Sequence, residues 1–176
     1  MARVPFLDVE DNPALRALTE RIRAARRGRV IDVYRLLLHS PPLAETWFEH
    51  NNAVLWKTGL DGRLREMVII RIGYLARGRY VIGQHVPKLA LGEGLTLGEC
   101  EALQDWKGSD LFGERDRAVL AYTDAMTRDI EVPDAVFEPL RQHFDDRRIV
   151  ELTVLIGTYA MHVRVFEALK LDPEQG

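Results

Sequence analysis

Apolar residues recur along this chain at steps of three and four, the period that lines them up on one face of an α-helix. Helix signals divide the pattern. Asn12 followed by Pro13 opens an amphipathic stretch to about residue 27, which Gly28 ends. A short helix is predicted over 31–39. Ser40-Pro41-Pro42 then breaks the chain and caps another helix over 42–57. Asp61 begins a strongly apolar helix through Arg77. Its Met67, Ile69, Ile70 and Ile72 fill the faces that Leu64 and Val68 leave, the mark of a central, buried helix.

The segment over 78–91 carries His85 and Pro87. Without an N–H, Pro87 leaves the Gly83 carbonyl unpaired, so the helix is expected to bend or restart there. Thr96 and Glu99 form a capping box for a short helix holding Cys100. After a loop at 109–113, helices are predicted over 114–128 and from Pro133 to about 144. A long one, capped by Asp145 or Asp146, runs through Leu169. Its Leu152, Leu155, Ile156, Tyr159, Val163 and Phe166 form one apolar stripe. No alternating β-branched run competes, so the fold class is all-α. The chain reads as a single domain over 1–176, with a core from about 10 to 170 and a frayed tail at 172–176. REMVIIRIG at 65–73 faintly echoes IVELTVLIG at 149–157, as two buried helices ending in glycine do by chance.

Composition narrows the function. The 176 residues are 47% hydrophobic and 29% charged with a net charge of -3, so no global basic field draws in nucleic acid. The arginines at 21, 23, 26, 27 and 29 suit a solvated helix C-terminus, and no aromatic is interleaved to stack on bases. The N-terminus lacks the apolar core of a signal peptide. Arg71 interrupts the best candidate membrane span, so a cytoplasmic protein without a membrane partner is expected. Ser40 and Ser109 stand in breaker contexts, not nucleophile elbows. The five histidines are too scattered for a metal site, and no glycine-rich phosphate loop occurs. Cys100, the one cysteine, lies between Glu99 and Glu101. Those carboxylates raise a thiol pKa and favour a structural role.

Glu66 and His85 remain. Glu66 sits one turn into the most apolar helix, where an unpaired carboxylate is costly. The next helix returns after a turn at Gly78, which lets His85 face Glu66 roughly. A structural ion pair and a general acid/base couple both satisfy this spacing.

LREMVIIR at 64–71, YVIGQHVP at 80–87 and ALGEGLT at 90–96 resemble the carboxymuconolactone decarboxylase and alkylhydroperoxidase-D-like (AhpD-like) family. YRLLLHSP at 34–41, DRAVLAYTD at 116–124 and FDDRRIVELTVLIG at 144–157 extend the likeness over most of the chain. The resemblance implies an all-helical, AhpD-like multi-helix bundle that assembles into trimers or hexamers. In the family's peroxidase branch a glutamate is followed by a C-x-x-C pair and then a histidine. Glu66 and His85 match the outer two, but the cysteine positions fall on Gly78 and Val81 and the inner histidine on Tyr80. Thiol–disulfide cycling of that kind is therefore not expected.

The decarboxylase branch implies a small-molecule substrate, a carboxylated lactone, handled with no metal or organic cofactor. On that resemblance His85 is the general acid/base, and Glu66 fixes its tautomer and raises its pKa. Tyr80 and Gln84 donate hydrogen bonds to substrate oxygens or serve as plain helix contacts. Arg71 clamps a substrate carboxylate or pairs with Glu66 or another buried acid. His39 is expected to bond carbonyls at a helix end. Tyr159 and His162 are expected in core packing or subunit contact. Two other readings stand beside the enzyme: an antioxidant relative with unconventional or lost thiol activity, and a non-catalytic binding homologue.

Overall fold

The computed structural model describes residues 2–10 and 12–173, so residues 174–176 of the expected frayed tail lie outside it. Nine α-helices are present among the described residues, and no strand. They are α1 (Arg16–Ala25), α2 (Asp32–Leu37), α3 (Pro41–Trp56), α4 (Gly62–Leu75), α5 (Arg79–Gln84), α6 (Leu97–Ala102), α7 (Glu114–Arg128), α8 (Asp134–Phe137) and α9 (Asp146–Leu169).

Capping chemistry sets most boundaries. The Asp61 carboxylate accepts from the Leu64 N–H at 2.8 Å, and Asp145 does the same for Arg148 at 2.9 Å. Thr96 and Glu99 form the reciprocal box. Ser40 makes no cap bond with its side chain. The start of α3 needs less help, because Pro41 and Pro42 remove two N–H groups that would otherwise lack partners.

Helix α4 is central. Every residue from Leu64 to Gly73 is buried. Helices α7 and α9 pack on it, together with α5 and the turn that follows α5. The close approach of α5 needs a glycine, since a Cβ on Gly73 would lie 2.9 Å from Ile82 Cγ1. Arg63 fastens the start of α4 to its neighbours, donating to Glu99 at 2.6 Å and Asp116 at 2.9 Å. Helices α1 and α2 and the N-terminal arm enclose two smaller apolar clusters, around Leu15 and Leu38 and around Ile22 and Tyr34. His39 helps hold the arm through the Pro5 carbonyl, 2.8 Å from its Nε2.

Two helices take another form where proline intervenes. After α5 the chain widens around Pro87 into a π-helical turn, His85–Ala90. A wider register absorbs the missing proline donor, and such turns recur at functional sites. The helix expected from Pro133 to about 144 stays α-helical only over α8. It tightens to a 3₁₀ turn, Glu138–Gln142, because Pro139 has no N–H to donate back to Ala135.

Arg71 does not settle the question of membrane spans, because α9 is long and apolar enough to cross a bilayer, with a mean hydropathy of 1.4. That helix packs on α3, α4, α5 and α7 and buries its predicted stripe, so core packing accounts for its composition.

Candidate active site

Glu66 and His85 meet. His85 Nδ1 lies 2.6 Å from Glu66 Oε2, and both side chains are buried. An ionised carboxylate only accepts, so Nδ1 donates to Glu66 and Nε2 is the nitrogen left for another partner. On the far side of the carboxylate, Arg65 Nε stands 3.8 Å from Oε1. Arg65 is itself held by Glu93 at 2.8 Å and by the Trp56 ring, 4.9 Å away.

His85 forms part of the wall of a pocket of about 270 Å³. An apolar cavity of roughly 150 Å³ holds one benzene, so one substituted ring fits. The walls come from the end of α1 (Ala25), the two residues after it (Arg26, Arg27), α2 (Tyr34), α3 (Trp47, Asn51, Leu55), α5 (Tyr80, Gln84) and α9 (Tyr159, His162, Phe166). Tyr80 and Gln84 thus share the pocket with His85. Glu66 stands behind the wall, bonded to the histidine.

Arg71 is elsewhere, and the expectation of a substrate clamp does not hold for this pocket. Its guanidinium grips Asp124 through two bonds, at 2.6 and 2.7 Å, and also donates to the carbonyls of Leu103 and Gln104. Helix spacing points Arg71 at α7, where Asp124 is the buried acid, leaving no donor directed at His85.

Tyr159 and His162, expected in packing, line the pocket as well. The Tyr159 ring meets His85 edge-on, centroids 5.5 Å apart. Burial, and then the negative charge of Glu66, push its phenol well above the ordinary tyrosine value, so it stays protonated. Its hydroxyl makes no hydrogen bond among the described residues, which leaves a donor for a guest. His162 stacks on Trp47, and burial lowers its pKa to about 3, with His50 and His85 adding to the effect. It is a neutral imidazole at any physiological pH.

Tyr34, Trp47 and Asn51 were not expected at a site, and Arg26 was expected only in a solvated helix end. The step from Tyr159 to His162 to Phe166 on one face of α9 was the available signal; for the residues on α1 to α3, no local pattern exists.

Neither sulfur position of the peroxidase motif carries a thiol. A Cβ on Gly78 would lie 2.8 Å from Val163 Cγ1, and Val81 is a buried apolar residue of the pocket wall. Cys100 is fully buried and outside the pocket wall. Burial first, then Glu99 and Glu66, raise its thiol pKa.

The model of the carboxymuconolactone decarboxylase family matches residues 41–125, which hold Glu66, Tyr80, Gln84 and His85. The uncharacterized protein YnjA of Escherichia coli is 31% identical over 121 residues, spanning 68% of this chain and 65% of YnjA. A solved protein of unknown function from Agrobacterium tumefaciens, described as an AhpD candidate in antioxidant defence, is 27% identical with a TM-score of 0.75. The alignment covers 80% of this chain and 97% of that one. An uncharacterized peroxidase-related protein with an AhpD core, from Ralstonia eutropha, reaches a TM-score of 0.84 at 22% identity, covering 99% and 93%. Family match, fold and the placement of Glu66 and His85 agree in making the chain similar to the carboxymuconolactone decarboxylase and AhpD-like family, without the C-x-x-C motif.

Proposed function

We propose that this pocket carries out cofactor-independent acid/base chemistry, decarboxylation or proton transfer, on a small carboxylated cyclic molecule in the cytoplasm. The observation that supports it most is the 2.6 Å contact between Glu66 and a histidine on the pocket wall. Glu66 holds Nδ1, so Nε2 exchanges the proton with the guest. Glu66 balances the imidazolium that forms, as a buried carboxylate does for a catalytic histidine elsewhere.

In the decarboxylation version, the bond from the ring carbon to the carboxylate breaks and carbon dioxide leaves. The electron pair passes to the ring carbon and is shared with an adjacent carbonyl oxygen. Tyr159 donates to that oxygen, and His85, having taken a proton from solvent at Nε2, delivers it to carbon. Proton transfer alone uses the same groups without loss of carbon dioxide. A panel of carboxylated lactones and β-keto acids tests this with wild type and His85→Gln. General acid/base catalysis contributes about 10²- to 10⁴-fold, so the variant should lose that much turnover. Turnover that His85→Gln leaves intact removes the reading.

We further propose a homo-oligomer, trimer or hexamer. Val150, Val154 and Met161, 61%, 42% and 40% exposed, form a stripe along α9 with Gly157 open between them. An apolar seam at steps of four, three and four suits a second helix.

A further inference from the structure

The arginine cluster at the end of α1 divides into two kinds. Arg21 pairs with Glu45 at 2.5 Å and Glu49 at 2.7 Å, Arg23 pairs with Glu10, and Arg29 has a partner of its own. Arg26 and Arg27 make no ion pair among the described residues. Those two are the arginines on the pocket wall.

Their placement follows from how α1 ends. Arg27 and Gly28 take left-handed conformations, φ 54° and 81°, and the Gly28 N–H returns to the Arg23 carbonyl at 2.8 Å. This turn brings both side chains to the pocket. Arg26 is half-buried over the rings of Tyr34 and Phe48, 5.8 and 5.6 Å from their centroids. Of its five N–H donors, one goes to the Ala25 carbonyl and one, at 3.3 Å, to the Tyr34 hydroxyl. A partly desolvated guanidinium with donors to spare and no counter-charge is a site for an anion. Its charge also reaches the Tyr159 phenol, which adjoins His85.

We infer that Arg26, with Arg27 beside it, binds the carboxylate of a single-ring acid whose ring occupies the aromatic interior of the pocket. The inference rests on the reading of the pocket given above and supplies the charge-holding group that Arg71 does not. It makes the guest an anion and favours it over neutral molecules of the same shape. A planar carboxylate matches the guanidinium fork, and the pocket volume admits one ring.

Benzoate and its neutral isostere benzamide test the clamp by calorimetric titration of the full-length chain. Wild type should bind benzoate at least about tenfold more tightly than benzamide, the margin expected when one partner of a hydrogen bond is charged. Arg26→Gln should lose about tenfold to a hundredfold for benzoate and leave benzamide unchanged. Arg26→Lys keeps the charge without the fork and should fall between. Equal binding of the two probes, an Arg26→Gln variant with wild-type affinity, or no benzoate binding at all overturns the clamp. Benzoate binding that depends on Arg26 in a chain that turns over no substrate keeps the clamp and removes the catalytic reading. Turnover that Arg26→Gln leaves intact does the reverse.

Discussion

Trp47 lies nearly parallel to His162, ring centroids 4.6 Å apart at an interplanar angle of 13°. The stack seals the imidazole between α3 and α9, which is why burial dominates its pKa, lowered to about 3. The unfolded chain protonates this residue near pH 6.5, so between there and about pH 3 it binds a proton that the folded chain refuses. The stability His162 confers is therefore whole above about pH 6.5 and is lost as pH falls towards 3. Replacing it with phenylalanine keeps a ring on Trp47 and removes the titration. Urea unfolding at about pH 7 and about pH 5 should show a smaller acid loss for His162→Phe than for wild type.

The Arg71–Asp124 pair is a fastening between α4 and α7. Asp124 also accepts from Trp106 Nε1 at 3.3 Å. Removing one partner of a buried pair leaves the other charge uncompensated, at about 3–5 kcal/mol. Asp124→Ala should lose about that much stability by denaturant unfolding, while benzoate affinity in the folded fraction stays at the wild-type value.

Gly78 permits the contact between the start of α5 and Val163. An added methyl would lie within 3 Å of both Val163 Cγ atoms, and a branched side chain on a core helix has little room to yield. Gly78→Ala should destabilise by about 1–3 kcal/mol, the range for overpacking. Combining it with Val163→Ala should cost less than the sum of the two changes, as a thermodynamic cycle would read.

The exposed stripe on α9 gives the assembly its own test. Val154→Asp places a charge in the seam and should convert the oligomer to monomer by light scattering, with little change in helix content. Wild type running as a monomer at micromolar concentration contradicts the assembly.

The fold was largely legible because its signals are local. Asp61, Thr96 and Asp145 cap where a capping residue is read from sequence, and α7 and α9 begin and end at the expected residues. Glu66 stood out because a carboxylate in an otherwise apolar helix needs a partner. The 2.6 Å contact with His85 was tighter than residue spacing alone suggested. Arg71 carries the same buried-charge signal but turns to Asp124, and direction around a helix is not read from one charge. The pocket was the least visible feature. Its walls join α1, α2, α3, α5 and α9, residues brought together only by tertiary packing. Tyr159 and His162 have the spacing of core residues, and a residue lining a cavity has the same period as one filling it.

The role assigned to Glu66 and His85 meets its sharpest test in proton exchange. Wild type, Glu66→Gln and His85→Gln are incubated in deuterated water with a carboxylated lactone or β-keto acid, and deuterium entering the ring carbon is followed by NMR. Wild type should label that carbon, with or without release of carbon dioxide. His85→Gln should fall by about 10²- to 10⁴-fold, and Glu66→Gln should fall measurably while still binding benzoate. Equal labelling by all three proteins contradicts the account.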